Sequence, residues 1–143
     1  MKRKNGFTLV ELLAVIIVLG LIALIIVPKI NDTIRDARIN TNKVSTSSLA
    51  RTAENYYLEQ KTKNRSFNSC TYDFENNLNT CVGLEFTGEK PESGKLSIRQ
   101  NGEVALAIKF NKKCFIKEYD TDEIETIDYN ESTCGENADV FTD

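Results

Sequence analysis

The chain of 143 residues contains no histidine, no tryptophan and only two prolines. Without histidine it lacks the side chain that most often moves protons near neutral pH and one of the commonest metal ligands. Ser/His/Asp and Cys/His catalytic arrangements are therefore excluded, and no glycine-rich phosphate loop is present either. We accordingly predict that the chain is not an enzyme and needs no cofactor.

Charge is missing from one long stretch near the start of the chain. Residues 12–27 hold no charged or strongly polar side chain, although 27% of the whole sequence is charged. As a helix, residues 7–27 would be about 31 Å long, close to the ~30 Å hydrocarbon core of a bilayer. A cleaved secretory signal would have a shorter apolar core followed by small residues, and a buried helix this long does not suit so small a domain. The stretch is therefore predicted to span a membrane.

The residues around this stretch predict its orientation and raise a question. Lys2, Arg3 and Lys4 precede it, which by the positive-inside tendency favours a cytoplasmic N-terminus. Glu11 lies inside the predicted membrane span, residues 7–27, where an acidic side chain costs about 2.5–3.5 kcal/mol. No basic residue of the helix lies close enough to pair with it. Two explanations remain open: Glu11 reaches the cytoplasmic headgroups, or its partner comes from another chain.

The segment GFTLVE, residues 6–11, follows a short basic leader. Together they resemble the N-terminal signature of type IV pilins and pseudopilins. The resemblance covers roughly residues 2–28. It implies that a membrane-embedded prepilin peptidase cleaves between Gly6 and Phe7 and that the new amine of Phe7 is methylated. It also implies that Glu11 pairs with the N-terminus of a neighbouring subunit. In a low-dielectric bundle such a pair offsets the cost of both charges, and it favours one register of assembly.

This resemblance implies a structural role as a major or minor pilin of a type IV pilus-like filament. The implied partners are other pilin subunits, the prepilin peptidase, a cytoplasmic assembly ATPase and a polytopic platform protein. The implied location is the cell membrane, crossed once with the head outside, and then a surface filament. One alternative is a pseudopilin of a type II secretion or DNA-uptake (competence) system. An alternative of a different class is a membrane-tethered binding domain that never polymerises.

Gly20 and Pro28 occupy positions where many family members have a glycine and a proline. In the family, the helix between such residues can unwind inside the filament, whereas the simpler interpretation is a mild kink, because proline removes one helical hydrogen bond. No further glycine or proline occurs before Lys61, so the helix is predicted to continue to about that residue. Its outer part is predicted to pack on the head through a stripe formed by Ile30, Ile34, Ala37, Thr41, Val44 and Ser48, continued by Leu49, Ala53 and Tyr56.

The clearest strands lie in KLSIRQNGEVALAIKF, residues 95–110, where apolar residues alternate with polar or small ones. Asn101 and Gly102 between them predict a two-residue hairpin turn, and residues 114–119 predict a third antiparallel strand. The expected fold is α+β, with a lollipop shape in which a long helix packs at its outer half on a small β-meander. The predicted divisions are a leader (1–6), a transmembrane and assembly helix (7–30), the outer half of the helix (31–62) and the head (63–143).

Four cysteines lie on the exported side of the predicted span, at positions 70, 81, 114 and 134. An even number outside the membrane favours two disulfides over free thiols. Zinc is the rival, but there is no histidine and no CxxC spacing. Among three possible connectivities we prefer Cys70–Cys81 and Cys114–Cys134, since each closes a local loop beside the hairpin. The second pair resembles the C-terminal disulfide loop of many pilins.

Charge is unevenly distributed over the rest of the chain. From Glu118 to Asp143 there are ten acidic residues and no basic one. Within this segment Asp120, Asp122 and Glu123 are candidate calcium ligands, since oxygen ligands suit that ion, and the alternative is an ordinary solvated acidic loop.

Basic residues form two groups that suggest a weak nucleic-acid-binding patch. No aromatic residues interleave with them, so an ordinary solvated surface is the stronger interpretation. The members of the two groups are Lys61, Lys63 and Arg65, and then Lys109, Lys112, Lys113 and Lys117.

Overall fold

The computed structural model describes residues 6–63, 66–76, 78–131, 133–134 and 139–141. The leader residues Lys2, Arg3 and Lys4 lie outside the described residues, as does Arg65. The elements are one helix, α1 (Leu9–Thr62), five strands and a short 3-10 helix (Asp139–Phe141). The strands are β1 (Cys70–Asp73), β2 (Ser93–Ile98), β3 (Val104–Phe110), β4 (Lys113–Lys117) and β5 (Glu125–Asp128). The predicted α+β class is therefore confirmed.

The chain divides into two compact units, residues 1–39 and residues 40–143. In the first unit, the large apolar side chains of the helix are exposed, from Leu9 through Val27. This helix is the one in the described part of the chain that is long and apolar enough to cross a membrane. The helix continues without a break through Gly20 and Pro28. In the isolated subunit, therefore, no segment between these two residues is unwound.

The sheet of the second unit is an antiparallel meander in the order β1-β2-β3-β4-β5. The predicted hairpin and third strand are confirmed as β2, β3 and β4, whereas β1 and β5 were not predicted. The register pairs Leu96 with Leu106 and Ile108 with Phe115. Because paired residues point to the same face, these four large side chains lie together, and all four are fully buried. They form the core of the head.

The helix face that packs on the sheet is not the predicted stripe. Leu49 and Ala53 are buried as expected, but Val44 is 70% exposed and Ser48 is exposed. The other buried residues of the helix are Asn42, Thr46 and Ala50. These side chains are small or polar rather than large and apolar. The Thr46 hydroxyl donates to the Asn42 carbonyl at 2.7 Å, so its polarity is satisfied within the helix. Apolar periodicity does not reveal such a face.

The turn between β2 and β3 also differs from the prediction. The Arg99 amide donates to the Glu103 carbonyl at 2.9 Å, so the loop has three residues, 100–102, rather than two. Gly102 has φ +96°, and its amide donates to the Arg99 carbonyl at 3.0 Å. The Asn101 side chain accepts from the Glu103 amide at 3.0 Å. This is the three-residue hairpin pattern, in which one glycine with positive φ closes the turn.

A two-residue loop occurs instead between β3 and β4. Phe110 pairs with Lys113, which leaves Asn111 and Lys112 in the loop. Asn111 has φ 57°, a left-handed conformation that asparagine tolerates better than most residues.

The second face of the sheet is contacted by the 3-10 helix, Asp139–Phe141. Ala105 and Ala107 are fully buried there, and the 3-10 helix packs against β3. Cys114, on the same face, is bonded to Cys134. The small alanine side chains leave room for this covering segment, which explains why β3 is buried on both sides.

Candidate functional site

Thr8 and Glu11 are joined by hydrogen bonds at the start of α1. The amide and the hydroxyl of Thr8 each donate to Glu11 Oε2 at 2.8 Å. In return, the Glu11 amide donates to Thr8 Oγ1 at 3.3 Å. This is a capping box, which satisfies amides at the helix start that have no partner within the helix. Glu11 therefore has a partner in its own chain, and the T-x-x-E spacing before an apolar run was the sequence signal that predicts it.

The other carboxylate oxygen of Glu11 has no hydrogen-bond partner among the described residues. Around it the helix exposes large apolar side chains, including Leu9, Val10 and Leu12. The carboxylate therefore lies on an apolar surface that none of the described residues of its unit covers. One of its oxygens accepts from Thr8, and the other has no partner in the part of the chain that the structure describes.

Gly6 and Phe7 precede the first helical residue, Leu9. Phe7 is 87% exposed, and nothing lies within 4 Å of the position that a Gly6 Cβ would take. The peptide bond between Gly6 and Phe7 is therefore outside the helix and open on its surroundings.

The cysteines of the head form two disulfides, Cys70–Cys81 and Cys114–Cys134. This is the connectivity preferred from the sequence. Chain separations are 11 and 20 residues respectively. The first bond closes a loop at the β1 edge of the sheet, and the second ties the end of the chain to β4.

The three candidate calcium ligands, Asp120, Asp122 and Glu123, are exposed. Within the described ranges, no three acidic or cysteine side chains are arranged to hold a metal ion. The Glu123 amide instead bonds the Thr121 hydroxyl at 3.0 Å. This segment is therefore a solvated loop, and its three carboxylates do not come together as a calcium site.

Most of the basic side chains in the second predicted group have partners within the head. Lys109 lies 3.5 Å from a Glu92 oxygen and 4.4 Å from the centre of the Tyr129 ring. Lys113 donates to Asp128 at 2.7 Å, and this bond lowers the pKa of Asp128. These contacts neutralise or occupy the cations, so they do not form an open patch for a phosphate backbone.

Lys61, Lys63 and Lys117 also have partners, whereas Lys112 is exposed. Lys117 is buried, and its Nζ donates to the Val104 carbonyl at 2.9 Å. Lys63 pairs with Glu59, and Lys61 lies 5.5 Å from the centre of the Tyr57 ring. The observed geometry therefore gives the nucleic-acid interpretation no support.

The comparisons with known proteins concern the N-terminal segment. The family model of the prokaryotic N-terminal methylation motif matches residues 1–27, and this motif is the signature of type IV pilins and pseudopilins. Neither a curated protein nor a solved structure matches the chain. The matched segment contains Gly6, Phe7 and Glu11, and it ends where the apolar stretch ends. The motif and the exposed apolar helix together support a pilin-like subunit that is anchored in a membrane and polymerises with other pilin subunits.

Proposed function

Because the chain carries this signature on an exposed apolar helix, we propose that it is a major or minor pilin of a type IV pilus-like filament. The observation that carries the proposal is the position of Glu11. Among the described residues, one oxygen of its carboxylate has no hydrogen-bond partner, and nothing in its unit covers the apolar surface around it. The proposed role is structural rather than enzymatic.

The first step of the proposed pathway is processing. The precursor crosses the membrane once, with residues 1–6 in the cytoplasm and the head outside. A prepilin peptidase cleaves the Gly6–Phe7 bond and methylates the new amine. The exposure of Phe7 and the absence of helix at this bond support the proposal.

Assembly follows from the charge left by processing. Removal of the leader takes away Lys2, Arg3 and Lys4 and leaves one positive charge at the new N-terminus, the amine of Phe7. The free oxygen of Glu11 on the adjoining subunit accepts from this amine. The pair neutralises two charges that are costly in an apolar bundle, and the apolar side chains around Glu11 pack on neighbouring helices. A cytoplasmic ATPase and a platform protein drive the addition of each subunit.

Intact-mass measurement of the protein, coexpressed with a prepilin peptidase, tests the processing step. We expect the mature chain to lack residues 1–6, to carry one methyl group on Phe7 and to have lost two hydrogens for each disulfide. A Gly6→Glu variant is the matched control, because it keeps the apolar helix and blocks access to the cleavage site. A mature wild-type chain that still begins with Met1 in the presence of the peptidase would contradict the proposal.

A further inference from the structure

We infer that the Cys70–Cys81 loop covers a strand-pairing surface on the head. The surface is the outer edge of β1, and the partner it fits is the β1 edge of a second copy of this chain. The cover is a short returning segment, residues 78–80, which occupies the edge in place of that partner.

The hydrogen bonds show how the cover occupies the edge. β1 pairs with β2 on its inner side, so the peptide groups of alternate residues, Thr71 and Asp73, point outward. The Thr80 amide donates to the Thr71 carbonyl at 2.9 Å, and the Asp73 amide donates to the Leu78 carbonyl at 2.9 Å. The Thr71 amide donates to the Thr80 hydroxyl at 2.8 Å. The cover therefore makes the bonds that an added strand would make.

The disulfide fixes one end of this cover. Cys70 immediately precedes Thr71, and Cys81 immediately follows Thr80, so the bond holds the first residue of β1 beside the last residue of the cover. Both cysteines are buried. The other end is held by the Asp73 carboxylate, which accepts from the Glu75 amide at 2.8 Å and from the Asn76 amide at 3.1 Å.

The two edges of the sheet are protected in different ways. β5, at the far edge, has four residues and carries exposed Glu125 and Asp128, and like charges discourage pairing between two copies. Thr71 and Tyr72 of β1 are uncharged and favour strands, and the one charged residue of β1 is Asp73. In an antiparallel pair of two β1 strands centred on Tyr72, Asp73 would lie opposite Thr71, so the two carboxylates would not face each other. In a matching pair of two β5 strands, Glu125 would lie opposite Asp128, and like charges directly opposite are destabilising. An uncovered β1 edge would therefore accept a second β1 more readily than β5 would accept another β5.

A filament holds many heads close together, so a cover on β1 would prevent unwanted pairing between them. This reason for the cover rests on the proposed function. The cover itself does not depend on polymerisation, so it is testable on isolated subunits. The full-length chain in detergent micelles, without peptidase, ATPase or platform, is the appropriate sample. A failure to polymerise in cells would then leave this experiment unaffected.

Amide hydrogen exchange compares the wild type with a Cys70→Ala/Cys81→Ala double variant. At low protein concentration, we expect exchange at Thr71 and Asp73 to accelerate by about 100-fold, the factor for a closed loop of this length in the chain-entropy model. The Tyr72 amide, which faces β2, should keep its rate. As the concentration is raised, the Thr71 and Asp73 amides should regain protection while the particle size increases to that of a dimer.

A Cys114→Ala/Cys134→Ala variant is the matched control. It removes a disulfide on β4, which is separated from β1 by β2 and β3. The ratio of the Thr71 rate to the Tyr72 rate should be the same in this variant as in the wild type. Unchanged rates at Thr71 and Asp73 in the Cys70→Ala/Cys81→Ala variant would overturn the inference. Equal acceleration at Tyr72 would also overturn it, because the bond would then support β1 itself. Faster exchange without concentration-dependent dimers would refute the second copy as partner.

Discussion

Thr8 caps the helix through Glu11: the Thr8 amide and hydroxyl both donate to one oxygen of the Glu11 carboxylate, and the second oxygen has no hydrogen-bond partner within the described ranges. One acidic residue therefore has two separable properties. It accepts hydrogen bonds at the helix start, as the side-chain amide of a glutamine also could. It also carries a negative charge in an apolar region, which a glutamine would not.

A pair of substitutions separates these two properties in assembly. Glu11→Gln keeps an acceptor for the Thr8 bonds but removes the charge, and it leaves the neighbouring Phe7 amine unpaired. Breaking a buried ion pair costs about 3–5 kcal/mol, so we expect filament yield to fall by more than ~100-fold. Thr8→Val keeps the charge and removes the hydroxyl of the cap, which costs about 1 kcal/mol, so filaments should persist at reduced yield.

The measurement for this pair is the sheared filament fraction relative to the membrane pool, with cleavage checked by mass. Both variants should be inserted and cleaved like the wild type. The opposite ranking, with Thr8→Val losing filaments and Glu11→Gln keeping them, would show that Glu11 acts as a cap and not as an assembly charge.

Gly102→Ala should destabilise the head for two reasons. The backbone at Gly102 has φ +96°, and an added Cβ would lie 2.4 Å from Tyr57 Cε1. The positive φ costs about 1–2 kcal/mol, and overpacking against the ring adds about 1–3 kcal/mol. Gly88→Ala is the control, since Gly88 has φ +105° and open space around it. Urea unfolding should show the larger loss for Gly102→Ala, and equal losses would argue against the contact with Tyr57.

To test which face of α1 packs on the sheet, one residue is enlarged on the buried face of the helix and one on its exposed face. Ala53 is fully buried, whereas Val44 is 70% exposed. Ala53→Leu should therefore cost about 1–3 kcal/mol through overpacking, and Val44→Leu should change the free energy of unfolding by less than ~0.5 kcal/mol. Thermal or urea unfolding of detergent-solubilised subunits measures both. A larger loss for Val44→Leu would restore the stripe predicted from the sequence.

Asp73 makes the stability of the head depend on pH. Burial acts to raise the pKa of Asp73, but hydrogen bonds from Asn76 and Glu75 and the charge of Lys95 together hold the pKa below its usual value. A lowered pKa in the folded state means that the ionised group stabilises the fold above its unfolded pKa, and this contribution disappears as the pH falls through the folded pKa.

Asp73→Asn should therefore lower the free energy of unfolding near neutral pH. Below about pH 4, the variant and the wild type should have the same free energy of unfolding. Urea unfolding over a pH series measures this difference. Glu89→Gln, at an exposed carboxylate, is the control and should change the free energy of unfolding near neutral pH by less than ~0.5 kcal/mol. A constant difference between Asp73→Asn and the wild type at every pH would contradict the charge-based explanation.

Much of the fold was predictable because its signals are local. The uninterrupted apolar stretch predicts the membrane helix, and the alternation in residues 95–110 predicts the central hairpin. The strands β1 and β5 were missed because each has four residues, CTYD and ETID, which is too short to show a period. The capping role of Glu11 was missed although its signal, Thr8 three residues earlier, is also local.

The sequence by itself determined the apolar helix, the position of Glu11 within it and the positions of the four cysteines, since these depend on residue type and spacing along one segment. Only the tertiary structure decided which face of α1 is buried and what covers the two sides and the β1 edge of the sheet. Thr46 and Ala53 are fully buried by the packing of the head although neither side chain is large and apolar, and Thr80 lies on β1 because a loop closed by Cys70 and Cys81 returns there. These are relationships between distant segments, whose free energy depends on packing and loop closure rather than on local propensity.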